Sequence, residues 1–140
     1  MQMSAFRGQT KYGKFLMRNT ALAAAILLTG GINLSHAQSG DPAAGKAAFQ
    51  QCAICHKADK GAGNGLGPNL FGIVGRKAAS LSDFEYSGPL KAAGITWTDD
   101  KLTQWVAGPA KMVPGTKMAF PGITSKATQR DVVAYLGTLK

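Results

Sequence analysis

Two cysteines and a histidine fall within five residues, Cys52-Ala53-Ile54-Cys55-His56, and the chain holds no other cysteine. A disulfide across two intervening residues would close too small a loop to staple a domain, because the loop-entropy gain grows with the length enclosed. The pair must serve something other than chain closure. If the segment forms a helical turn, Cys52, Cys55 and His56 stand at i, i+3 and i+4 and share one face. Any fold for this chain has to present that face to whatever the three side chains bind.

The first forty residues read as an export signal. Residues 1–18 carry Arg7, Lys11, Lys14 and Arg18 with no acid, residues 20–34 are apolar or uncharged, and Ser35-His36-Ala37 is a small-x-small pattern. Basic, apolar and small residues in that order mark a secretory signal, with cleavage expected after Ala37 and localisation in the periplasm. An uncleaved anchor is the alternative, although the apolar run is shorter than the ~20 residues a bilayer core demands. Residues 38–140 then form one domain, since about a hundred residues supply one small core. That part carries twelve basic residues against seven acids, a net charge of +5. The bases are dispersed and not interleaved with aromatics, which argues against a nucleic-acid track and for an acidic protein partner.

Three chemistries use a C-x-x-C face. A thioredoxin-like pair belongs beside a βαβ pattern, and no stretch here shows sustained strand alternation. Zinc wants four ligands, whereas residues 38–140 contain only Cys52, Cys55 and His56 of the strong ligand types. C-x-x-C-H is the haem-attachment pattern. Both thiols can add to vinyl groups on one porphyrin edge while the imidazole beside them reaches the iron, so one covalently attached haem c is expected. His36 leaves with the signal, so the sixth ligand falls to a methionine, and residues 38–140 hold only Met112 and Met118. A lone methionine is ordinarily core filler. Met118 lies between Pro114-Gly115 and Pro121-Gly122, which restrict the backbone on both sides and can hold one side chain in place; Met118 is favoured and Met112 is read as packing.

Along the chain, Asp41-Pro42 reads as an N-cap and a first-turn proline opening a helix to about Gln51. Residues 61–69, GAGNGLGPN, form an irregular loop. A weak helix is expected from Ser87 or Gly88 to about Ala93, ending at Gly94. A better one starts at Thr98, with Asp99 and Asp100 in its first turn, and ends at Gly108-Pro109. Three prolines and two further glycines in residues 109–123 exclude helix or strand running through them. Thr124 or Ser125 caps a final helix with Val132, Tyr135, Leu136 and Leu139 on one face. The fold class is all-α, with three or four short helices and long loops. With 18 glycines in the chain, such a domain is short of side chains to fill an interior, and a large apolar cofactor would supply the missing core.

From about Gly40 to Leu139 the chain resembles the class I cytochromes c, the mitochondrial cytochrome c and bacterial cytochrome c2 group. The resemblance rests on CAICH at 52–56, GPNLFGIVGRK at 67–77, GITW at 94–97, PGTKMAFPGI at 114–123 and DVVAYL at 131–136. It implies the cytochrome c fold and, independently of the elimination above, Met118 as ligand. It also implies that Pro68 offers its carbonyl to the His56 ring N–H, that Tyr86 and Trp97 bond a buried haem propionate with Arg76 nearby, and that Thr116 lines the methionine side. Gly45 and Phe49 would pack the first helix on Tyr135 and Leu136. Trp105 stands where the family usually has tyrosine, Leu90 where a polar residue is common, and the first helix reaches its cysteine one residue sooner than in the mitochondrial form.

His/Met ligation raises the reduction potential and leaves no open iron position, so the resemblance implies a monomeric single-electron carrier and not an enzyme. Lys57, Lys111 and Lys117 would steer its haem edge to acidic docking faces through small, salt-sensitive contacts. The donor would be a bc1-type complex or a dehydrogenase, and the acceptor an oxidase, a peroxidase or a photosynthetic reaction centre; the membrane would enter only through such complexes. Two rivals are a haem peroxidase or ligand sensor in which Met118 detaches, and a dedicated haem subunit of one dehydrogenase.

Overall fold

The computed structural model describes residues 39–140, so the expected signal and its cleavage site after Ala37 lie outside the described residues. Within them the chain forms α1 (Pro42–Ala48), α2 (Gln50–Ala53), α3 (Gly88–Ala92), α4 (Asp99–Ala107), α5 (Pro109–Met112) and α6 (Lys126–Thr138). Among the described residues there is no strand beyond an isolated antiparallel bridge between Lys77 and Thr96. No described helix is long and apolar enough to cross a membrane.

Helix starts follow from caps. The side chains of Asp41, Ser87, Thr98 and Ser125 accept from the backbone N–H groups of Ala43, Leu90, Lys101 and Thr128, each satisfying a donor that has no partner inside its helix. Gly94, just beyond α3, is left-handed at φ 62, as a helix stop requires. Two expectations need correction. There are six helical segments instead of three or four, because the first helix divides at Phe49 and a four-residue turn forms at Pro109. Proline costs nothing at the first helical position, where its missing N–H has no intrahelical role; it ends α4 and begins α5.

The first and last helices pack face to face. Asp41 N donates to Asp131 Oδ1 at 2.8 Å. Gly45 is buried, and a Cβ there would sit on the Asp131 carbonyl and 2.9 Å from Tyr135 Cβ. Phe49 and Tyr135 meet with ring centroids 5.2 Å apart at 56°, a contact worth about 1 kcal/mol beyond its buried area. The buried face of α6 comprises Gln129, Val132, Val133 and Leu136, spaced i, i+3, i+4 and i+7. Tyr135 and Leu139, expected inside, lie half-buried at its border. Helix α4 contributes Leu102, Trp105 and Val106, and Trp105 packs edge-on against Trp97 at 5.1 Å.

Candidate cofactor site

These elements do not close on one another. They surround a cavity of about 590 Å³, within the size range of cofactor sites and large for so small a domain. Phe49, Leu90, Trp97, Leu102, Val132 and Leu136 give it an apolar wall. The shortage of filling side chains inferred from composition is thus concentrated in one place.

The turn at 52–56 supplies one side of that wall. Cys55 N and His56 N both donate to Cys52 O, at 3.1 and 2.9 Å, which brings the two thiols and the imidazole to the same cavity. Both cysteines carry free thiols. Burial, with the neighbouring Cys55, pushes the Cys52 thiol above its ordinary range, the opposite direction from the lowered pKa of a redox dithiol. Among the described residues no three His, Cys, Asp or Glu side chains gather as a metal cluster.

His56 Nδ1 lies 2.7 Å from the Pro68 carbonyl. A carbonyl only accepts, so Nδ1 carries the proton and Nε2 keeps its lone pair for a metal. Burial pulls the imidazole below its ordinary pKa, against the opposing Pro68 bond. Gly67 makes the arrangement possible: a Cβ there would stand 2.7 Å from Nδ1 and 2.9 Å from Nε2 of His56. Its own N–H donates to Cys55 O at 2.9 Å, so the loop is laid directly over the cysteine turn.

The remaining expected residues line the same cavity: Pro68, Arg76, Tyr86, Trp97, Thr116 and Met118. Arg76 is fixed by donating to Phe71 O at 3.1 Å and Asn69 O at 2.7 Å, and burial lowers its pKa. Burial raises the Tyr86 hydroxyl, while the Arg76 charge opposes that rise. Thr116 Oγ1 accepts a long bond, 3.4 Å, from Met118 N. Met118 is half-buried on the cavity wall, whereas Met112 packs against the core and is not part of that wall. Trp105 and Leu90, the departures from the family pattern, are both wall residues. Of the lysines expected at the exposed edge, Lys117 lines the cavity mouth and Lys57 and Lys111 are exposed.

Several contributors were not anticipated. Asn69 is buried; its side chain accepts from Phe71 N and donates to Asp59 O, and its N–H donates to Asn64 Oδ1. It holds the glycine-rich loop and, through its own carbonyl, Arg76. An asparagine in a turn-rich stretch was the available signal. Ile54 and Leu66 line the cavity yet are 78% and 83% exposed. An apolar cavity, paired thiols, a metal-competent imidazole, a thioether and a cation beside a phenol form a donor set that fits haem: ring, vinyls, iron and propionate each find a matching group.

A family model of cytochrome c matches residues 42–140. The chain is 44% identical over 102 residues to cytochrome c2 of Rhodoblastus acidophilus, covering 73% of this chain and 95% of that protein. It is 47% identical over 98 residues to cytochrome c-554 of Methylosinus trichosporium, covering 70% and 74%. Among solved structures it is similar to cytochrome cH from Methylobacterium extorquens, with a TM-score of 0.67 at 47% identity, covering 71% of this chain and 99% of the other.

Proposed function

Because the chain belongs to the cytochrome c family, within its class I bacterial c2 group, we propose that His56 and Met118 ligate its haem iron in a periplasmic carrier of single electrons. Covalent haem c and electron transfer, as opposed to catalysis, come with the family. Haem bound in the cavity supplies an iron that gains and loses one electron. Everything else is the work of the chain's own residues.

Cys52 and Cys55 would anchor the group by adding their S–H bonds across its two vinyl groups. His56 offers Nε2, and the Pro68 carbonyl fixes the tautomer and ring orientation, as outer partners of metal-bound histidines do. Met118 offers a soft sulfur from the same cavity, and the single observation that carries the ligand assignment is this shared wall, from which Met112 is absent. If His56 and Met118 both held the iron, the protein would leave it no open position for oxygen or peroxide. Tyr86, Trp97 and Arg76, which line the cavity, would hold a propionate out of water, and Thr116 would pack on the methionine side.

The basic balance of residues 38–140 and the exposed Lys57, Lys111 and Lys117 support docking of a monomer on acidic faces of redox proteins. A bc1-type complex or a dehydrogenase is the proposed donor; an oxidase, peroxidase or reaction centre is the proposed acceptor. The signal pattern in residues 1–37 supports export. The test of the ligand set is the visible and near-infrared spectrum of the ferric protein. The weak near-infrared band of a methionine–iron bond should be present, vanish in Met118→Ala and survive in Met112→Ala. Loss only in Met112→Ala, or no band in the parent, sinks the assignment.

A further inference from the structure

Met118 lies in a segment fastened at its two ends. At the first, Val113 N donates to Pro109 O at 2.9 Å and Thr116 N to Val113 O at 3.1 Å. At the second, one buried residue is gripped from two helices. Ile123 N donates to Val106 O of α4 at 2.8 Å, and Ile123 O accepts from Gln129 Nε2 of α6 at 2.5 Å. Gly122 permits the approach: its φ is +101, and a Cβ would stand 2.7 Å from the Ala107 carbonyl carbon. Between the two ends the bonds are local to the segment, Phe120 N to Met118 O at 3.0 Å and a long one from Met118 N to Thr116 Oγ1 at 3.4 Å.

Gln129 is an unusual choice for its place. It is 7% exposed, on the same helical face as Val132, Val133 and Leu136. For packing alone an apolar residue would complete that stripe, and a buried amide is costly unless it is bonded. Its Nε2 donates outside its own helix, to the carbonyl that ends the methionine segment.

We propose that Gln129 is a positioning residue for the iron's methionine ligand: by clamping Ile123 to α6 it sets how firmly the 114–123 segment holds Met118 at the cavity. This rests on the reading of Met118 as ligand. Loss of the clamp should loosen the segment before it loosens the domain, because α1 and α6 remain packed through Gly45, Phe49 and Tyr135.

The experiment uses the haem-loaded ferric protein beside Gln129→Met, near in size but without a donor, and Gln129→Ala. The methionine–iron band and the far-ultraviolet helix signal are followed together on heating, and the reduction potential is measured at room temperature. In the variants the methionine-detached fraction should rise about fivefold, the scale of one hydrogen bond. The band should then fade well below the temperature at which helix is lost, with a lowered potential. If band and helix signal shift down together in both variants, or if neither variant folds, Gln129 supports the whole domain and the proposal fails. A parent protein without the band defeats the Met118 assignment itself, a different result from a parent with the band and variants that match it.

Discussion

Between Cys52 and Asn69 the chain is fastened to itself at almost every turn: His56 N to Cys52 O, Gly67 N to Cys55 O, Gly65 N to Gly67 O, His56 Nδ1 to Pro68 O and Asn69 N to Asn64 Oδ1, all at 2.7 to 2.9 Å. Residues 114–123 are held from their ends, and Met118 itself has a 3.4 Å bond to Thr116. The difference lies in where the constraints originate. The histidine side is built from contacts close in sequence. The methionine side depends on α4 and α6 already being in place. Local opening follows the sparser set of constraints, so the methionine side is the one that should yield first.

The strongest way to break this contrast is to damage the dense side. Gly67 has no left-handed backbone requirement, and a Cβ there meets the His56 ring at 2.7 Å from Nδ1. Gly67→Ala therefore acts through space alone, forcing the imidazole off the Pro68 carbonyl. Overpacking of this kind costs about 3 kcal/mol, and the orphaned Nδ1–H adds to it. The expected outcome is a lower urea midpoint together with a disturbed haem spectrum, where Gln129→Met disturbs the spectrum alone. A Gly67→Ala protein with a parental midpoint would mean that the loop over the cysteine turn is looser than its bonds indicate.

A smaller effect tests the residues between the two sides. Burial raises the Tyr86 hydroxyl above its ordinary 10.0, so the folded state holds the proton more tightly than the unfolded chain. Below pH 10 both states are protonated and stability is complete; as pH climbs past 10 the unfolded chain ionises first and stability falls. Tyr86→Phe should flatten the dependence of the urea midpoint on pH above 10. An unchanged alkaline slope would show that Tyr86 ionises as freely folded as unfolded.

What could be read from the sequence divides along the same line. The Asp41 cap, the helix starts at Ser87 or Gly88 and at Thr98, and a last cap at Thr124 or Ser125 were legible because capping is a contact over two or three residues; the structure selects Ser87 and Ser125. The shared face of CAICH was legible because one helical turn fixes it, and the fixed place of Met118, which proves to be on the cavity wall, because prolines and glycines flank it on both sides. Helix α5 was missed by treating Pro109 only as a breaker, although a first-turn proline also starts helices. Gln129 was invisible: its partner, the Ile123 carbonyl, is a backbone atom carried by another segment, and no pattern of side chains announces it. Asn69 and Gly67 stood in a loop whose composition said only that it was irregular; their roles depend on the path that the loop takes over Cys55.

The smallest expected effect separates two ways of holding the methionine side. Glu85 lines the cavity mouth with Lys117 and pairs with Lys91 Nζ at 2.9 Å. Its hydrogen bond and charge pairing with Lys91, aided by Lys117, lower its pKa below the ordinary carboxylate value, so any contribution is present above pH 4.5 and lost as pH falls below it. Yet both partners are exposed, at 79% and 51%, and such pairs gain little against side-chain entropy and salt screening. Glu85→Gln should leave both the helix melting temperature and the temperature at which the methionine–iron band fades where they are in the parent protein, at low and at high salt. If instead the band fades early at low salt, surface charge near Lys117 shares in holding Met118. The buried amide of Gln129 would then be one of two clamps, and the contrast between a bonded side and an end-held side would be narrower than the hydrogen bonds suggest.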